Sequence, residues 1–488
     1  MPHLACLVRT AGLLLLAAAS AAAQRSLLVP SQYKTIQAAI DAASDQDSVW
    51  VDPGVYRETL DFKGKKIRVQ STHGPEQTIV DGGAAGSVVR FATGETRDAL
   101  FSSFTITHGT GTADGFLKLG GGIFCRNASP FLVDLIVEHN VAAGGFGYGG
   151  GIYVEGGEPF LIGCTMRHNT ASHAGGGIHV VDSTAVISRC RFIANQANLG
   201  GGALLSRGCP IVSSSAFLGN TARAGGGIYA QLDLYQTKTF TNNTVVENSA
   251  EHFGGGFASA SDRSEIENCI FWNNACPLGA ELAIARDCSI CAPSRVTIAN
   301  CVVKGGLAGV WVADGATLAW GAGMLDADPK LHDVARADVH LEYGSPCRDR
   351  GNGGAKWLPT TDLDDDPRVV GHAVDIGADE FAPRFYQEGR AVRGGSLQLR
   401  VVGPPDGAAA WAFSAAMLAT PLPLWGLGDL HLNPNLMVVF PLPPLPASGV
   451  LPFSVPLPRV FPVTAIPTQA LAGTVLTNPV IVHFFDPP

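Results

Sequence analysis

The central part of the chain carries a repeated alternation of apolar and polar positions. Triple glycines begin at Gly120, Gly149, Gly175, Gly200, Gly225 and Gly254, at spacings of 29, 26, 25, 25 and 29 residues. Asn140, Asn169, Asn195, Asn220, Asn248 and Asn274 follow them in step. Three residues before each asparagine stand Val137, Met166, Phe192, Phe217, Val245 and Phe271, and two before those Leu135, Cys164, Cys190, Ser215, Asn243 and Cys269. That period of two is a strand pattern with its odd members inward. Beyond each triplet the same reading turns Ile123, Ile152, Ile178, Ala203, Ile228 and Phe257 inward, then Cys125, Val154, Val180, Leu205, Ala230 and Ser259.

Short strands recurring about every 25 residues without helical periodicity describe the coils of a parallel β-helix, whereas propeller blades need about 40 to 45 residues. The predicted class is all-β: a right-handed parallel β-helix with a short N-terminal capping helix and a small C-terminal β domain. Stacked at about 4.8 Å, equivalent residues form ladders. Asparagine is expected at the turn for two reasons: it tolerates left-handed backbone, and its amide can bond along the stack. Ile36, Ile40 and Ala43 lie at helical spacing before the strand Val49-Trp50-Val51 and predict a lid on the first coil. The acidic stretch from Asp326 to Phe381 is expected to close the other end, since exposed core and open edges need covering.

The ends divide the chain further. Arg9, the apolar run from Ala11 to Ala19 and the small residues Ala21-Ala22-Ala23 have the form of a secretory signal peptide over 1–23. From Arg384 to Pro488 lie seventeen of the 31 prolines but only nine charged residues in 105. With strand-like runs between the prolines, 384–488 reads as a separate Pro-rich β domain after a helix unit at 24–383. Hydrophobic residues at 46% provide a large core, and a net charge of -9 argues against a nucleic-acid or anionic-membrane surface. No segment has the run of about 20 apolar residues that spans a bilayer. Secreted or cell-surface localisation is therefore expected, with disulfides permitted. Cys164 and Cys190 are read as stacked thiols, Cys276, Cys288, Cys291 and Cys347 as disulfide candidates, and zinc on the lone Cys288/Cys291 pair as unsupported.

Thr35-Ile36-Gln37-Ala38-Ala39-Ile40 with Asp52-Pro53-Gly54-Val55-Tyr56-Arg57-Glu58 resembles the opening of secreted β-helix proteins of the pectin-lyase-like superfamily. Gly344-Ser345-Pro346-Cys347-Arg348-Asp349, Thr361 to Arg368 and Asp375-Ile376-Gly377-Ala378-Asp379-Glu380 resemble the closing segment of bacterial choice-of-anchor β-helix proteins. The resemblance, over about 27 to 383, implies right-handed coils and an extracellular place. Its members include lyases, hydrolases and esterases, so it fixes no reaction. The catalytic segments of pectin methylesterases, polygalacturonases and pectate lyases have no recognisable counterpart.

Candidate chemistry comes from aligned outward positions. Phe124, Tyr153 and His179 fall on successive rungs of a stripe expected to be exposed, with Tyr229 further along and Arg126 and Glu155 beside it. Sugar rings pack their apolar faces on aromatics, so this stripe is the expected polysaccharide track. Asp362, Asp364 and Asp366 alternate like calcium ligands, although Pro367 and Ala373 at positions six and twelve exclude an EF-hand. Calcium is the candidate ion. The expected function is polysaccharide binding by a surface scaffold. A pectate-lyase-like polysaccharide lyase and a structural or adhesive surface protein are the alternatives.

Overall fold

The computed structural model describes residues 24–286, 291–382 and strand segments between 384 and 485. The signal peptide expected at 1–23 and Cys288 lie outside the described residues. The chain forms a right-handed parallel β-helix of about 11 turns. One coil shows the pattern: Ile123–Arg126, Phe131–Val133 and Ile136–Glu138 pair in parallel with Ile152–Glu155, Phe160–Ile162 and Thr165–Arg167 of the next. Val137, Met166, Phe192, Phe217, Val245 and Phe271 are all within the buried core, as the alternation requires. Phe192 and Phe217 stack at 4.4 Å with their planes 1° apart.

The corner asparagines are buried and joined side chain to side chain. Asn195 Oδ1 accepts from the backbone N–H of Asn169 at 3.0 Å and from Asn169 Nδ2 at 3.1 Å, while Asn195 Nδ2 donates to Met166 O and to Asn220 Oδ1. The same links run from Asn140 to Asn274. The left-handed turn, however, is not made by these residues. It falls one position earlier, at His139, His168, Ala194, Gly219, Glu247 and Asn273. The expected role in backbone tolerance is thus corrected: asparagine is used for its amide alone. The first glycine of each triplet has φ between 61° and 69°, which turns the chain into the next strand. The third lies against the ladder, where a Cβ on Gly177 would come 2.9 Å from Phe192 Cδ1 and 3.1 Å from Asn195 Nδ2.

Glu281 ends the ladder, its Oε2 accepting from Asn274 Nδ2 at 2.6 Å. Burial raises this carboxyl to about 7, against the pull of Asn274 and Lys304. A carboxyl favoured in its neutral form contributes stability that is full below its unfolded value of about 4.3 and is lost as pH rises through 7. Glu281→Gln should therefore be more stable than the parent at pH 8 by on the order of 2 kcal/mol and about equal to it at pH 4. Urea unfolding of both proteins at the two pH values checks this.

The N-terminal lid is present as α1 (Ile36–Ala42), with Ile36, Ala39 and Ile40 buried. Thr35 Oγ1 caps Ala38 N–H, and the Glu58 carboxylate accepts from Ile36 and Gln37 N–H at 2.9 and 2.8 Å. The closing stretch behaves differently from expectation. Val339, Leu341, Cys347, Leu363, Ile376 and Ala378 pack against Ala216, Leu218, Val246, Ile270 and Val302, the outward side of the strands that precede the asparagines. It is a strap along the flank of the stack, not an end cap. The final rungs are Val310–Val312 and Thr317–Trp320. A strap is favoured because those outward positions are themselves apolar.

Cys164 and Cys190 are free buried thiols, as expected; Cys276 and Cys347 are also free, contrary to expectation. Cys291 is disulfide-bonded. Ladder thiols replace asparagine oxygen as acceptors: Cys269 N–H points at Cys301 Sγ at 3.1 Å. Beyond residue 383, Ser396–Val402 pairs antiparallel with Arg384–Glu388 and Val450–Pro456. Ala409–Ser414 likewise lies between Met437–Leu442 and Ala465–Ala472. These form the small C-terminal β unit, with Leu399, Val401, Ala470 and Ala472 buried.

Candidate functional site

The aromatic stripe is in register but covered. Phe124 aligns with Tyr153, Tyr153 with His179, and Arg126 with Glu155. Yet Phe124, Tyr153, His179 and Tyr229 are 2%, 7%, 6% and 3% exposed. The reversal at each triplet folds the residues before it back over the outside of the following strand. Leu117, Leu119 and Tyr148 lie on Phe124 and Tyr153; Leu199, Phe253 and Trp311 lie around Tyr229. Outward from the main core therefore means inward to a second, thinner apolar layer, and the expectation of an exposed stripe is corrected.

Burial also removes the stripe's acid–base chemistry. The Tyr153 phenol is pushed far above its ordinary value by desolvation and by Glu155, and desolvation pushes the His179 imidazole down to about 3. His179 is neutral, between Tyr148 and Tyr153 at ring distances of 5.2 and 5.4 Å. Only Arg126 and Glu155 stay accessible, in a network where Arg126 Nε meets Glu155 Oε2 at 2.6 Å and Nη2 meets Asp114 Oδ2 at 2.8 Å.

A different surface gathers polar groups around an open cleft of about 400 Å³. It is lined by Asp182, Ser183, Thr184, Arg207, Gly208, Leu232, Asp233, Tyr235 and Gln236. Three stacked corners build it, where Asp182, Arg207 and Leu232 all take left-handed φ. Arg207 Nε and Nη2 bind Asp182 Oδ1 and Oδ2 at 2.8 and 2.7 Å, a planar fork on the rim. In the third corner the chain bulges out between Asp233 and Lys238. Asp233 shapes that bulge: its carboxylate accepts from Gly208, Tyr235 and Gln236 N–H at 2.8, 3.0 and 2.9 Å. Burial alone would raise this carboxyl, but those donors and Lys238 hold it below its usual value. The bulge leaves Tyr235 98% exposed at the cleft.

Sequence reasoning missed these residues by following strand positions. The available signal was the step from Gly225 to Gly254, four residues longer than the two before it. The three aspartates proposed for calcium do not act as one set. Asp362 is buried and spent on backbone, accepting from Asp364, Asp366 and Glu380 N–H at 2.9, 3.0 and 2.9 Å. Asp364 turns away toward Arg191 and His340. Turn formation accounts for Asp362, and contacts with Arg191 and His340 for Asp364, so these two carboxylates do not converge on the one ion that was expected.

No protein-family model matches the sequence, and no curated protein is significantly similar to it. Among solved structures, a mutant pectin methylesterase in complex with a hexasaccharide superposes with TM-score 0.30 and 11% identity, over 63% of this chain and 90% of that one. The enzymatically active domain of bacteriophage CBA120 tailspike protein 4 gives 0.34 and 12%, over 91% and 65%. A mutant of the PL6-family alginate lyase AlyGC gives 0.32 and 14%, over 69% and 59%. Superpositions this loose carry no functional argument. No described helix is long and apolar enough to cross a membrane.

Proposed function

We propose that the protein is an exported or cell-surface β-helix scaffold that binds polysaccharide at the Tyr235 cleft. In this reading 1–23 is the export signal, 24–383 the binding unit and 384–488 a separate β domain. The observation that carries it is the extended corner, which sets a fully exposed tyrosine beside a fixed Arg207–Asp182 fork. An aromatic face takes the apolar side of a sugar ring, while a guanidinium and carboxylates take its hydroxyls or an acidic group. Arg126 and Glu155, the accessible remainder of the expected track, lie on the same helix unit as a secondary contact.

A lyase reading has one observation in its favour. Tyr235 is a residue type able to take the α proton, and Arg207 in the same cleft would neutralise a uronate carboxylate on leaving its fork with Asp182. Affinity electrophoresis of the purified chain in a panel of acidic and neutral polysaccharides, with absorbance of unsaturated products followed in parallel, separates the readings. Tyr235→Ala is expected to weaken retardation by about tenfold, or roughly 1.4 kcal/mol, without altering thermal stability. Absorbance growth abolished by Arg207→Ala would favour the lyase. Absence of both signals in the parent would leave a structural or adhesive role.

A further inference from the structure

Outside the cleft, three parts of the strap bring metal-capable side chains to one point. His340 comes from the strand Asp338–Leu341, Asp364 from the turn after Thr361, and Asp379 from the segment that follows Asp375. One ligand atom of each lies within 4.8 Å of the others, and His340 Nε2 stands 3.7 Å from Asp379 Oδ1 and in contact with Asp364 Oδ2. The side chains are 19%, 21% and 1% exposed, so this is a largely enclosed cluster within the strap, unlike a loose acidic surface.

Each of the three is also held from behind. His340 Nδ1 faces the Asp338 carboxylate, which fixes the ring with Nε2 toward the centre. Asp379 uses its other oxygen to accept Leu341 N–H at 3.1 Å, and Asp364 uses its other oxygen on Arg191. A carboxylate behind a histidine is the arrangement that orients imidazole on a metal. The charged groups that face the cluster are Asp338 and Arg191, with His332 3.9 Å from Asp338. Arg368 attracts Asp379 from further back but is shared with Asp362, Asp375 and Glu380.

We propose that His340, Asp364 and Asp379 form a binding site for a divalent transition-metal ion of the zinc class, with Asp338 as the positioning residue. One imidazole and two carboxylates form a three-ligand zinc set that leaves a coordination position open, whereas calcium takes six to eight oxygens. The ion would tie one strand and two irregular segments of the strap together. It replaces the three-aspartate calcium reading and is independent of polysaccharide binding.

The test uses the full-length protein stripped with chelator, then titrated calorimetrically with zinc chloride or calcium chloride, with metal content measured after gel filtration. The expected result is about one retained zinc per chain, a higher melting temperature with zinc and no change with equimolar calcium. His340→Ala should lose the retained zinc, and Asp338→Asn should weaken binding by about tenfold or more. Should His340→Ala not fold, His340→Gln takes its place. No retained zinc in the parent, a preference for calcium, or unchanged zinc retention in the folded His340 variant would each overturn the assignment.

Discussion

Asn195→Ala is expected to lower unfolding free energy by about 3–5 kcal/mol, a large fraction of the stability of an ordinary domain. The change removes four hydrogen bonds from a site with no exposure. The N–H of Asn169 loses its Asn195 acceptor, and Asn169 Nδ2 keeps only Val137 O. A buried donor without a partner costs about 1–3 kcal/mol by itself, and the lost side-chain bonds and small void add to it. Asn198→Ala is the control: its amide donates to Ser172 O at the surface, and the loss should stay under about 1 kcal/mol. Asn195→Gly separates the two explanations of the asparagine series. If the residue served a left-handed turn, glycine would restore stability. Because the turn is at Ala194, glycine should be as damaging as alanine, while Ala194→Gly should be neutral or mildly stabilising. Urea midpoints for the four variants decide the matter, and an intact Asn195→Gly would refute the ladder account.

That experiment also marks how far the sequence could be read. Inward positions followed from the period of two and from alignment on Gly and Asn, since one missed register would have sent Phe192 and Phe217 outward. The reading failed where a position was inward to something other than the main core. Phe124 and Tyr153 point away from the coil axis, and only the chain reversal at Gly120 and Gly149 brings Leu119 and Tyr148 over them. Such a contact depends on the shape of an irregular loop, for which periodicity carries no signal. The strap failed for a related reason. Asp362 reads as a calcium ligand in one dimension, but like Asp375 and Glu380 it accepts backbone N–H bonds that an irregular segment cannot satisfy through a ladder. Glu380, raised to about 8 by burial and by Asp375, shows the electrostatic cost of crowding them. The Tyr235 cleft was legible only as a departure from the period. In a repetitive fold the regular residues specify architecture, and insertions are the places where a surface can be specialised.

Lys238→Met is expected to cost about 3–5 kcal/mol at pH 8, through the charge it leaves behind. Lys238 and Asp262 are fully buried and form an ion pair where the extended corner returns to the core. Lys238 Nζ also donates to Gln231 O at 3.3 Å, and Asp262 Oδ2 accepts from Ser264 Oγ at 2.8 Å. Burial outweighs these partners and raises Asp262 to about 6. Its contribution is therefore full below the unfolded carboxylate value near 3.9 and is lost as pH rises through 6. Without Lys238 the carboxyl should be raised further, so the deficit of the single variant should shrink steadily from pH 8 to pH 4. The double replacement Lys238→Met with Asp262→Leu removes both charges and should return to within about 1 kcal/mol of the parent. A double-mutant cycle from urea unfolding at both pH values measures this coupling, and a deficit equal at pH 4 and pH 8 would refute the charge explanation. The pair also joins fold to function: it follows directly on the bulge that carries Tyr235. Loss of polysaccharide affinity in the single variant, with recovery in the double, would show that it fixes the corner through balanced burial and makes no contact with the ligand.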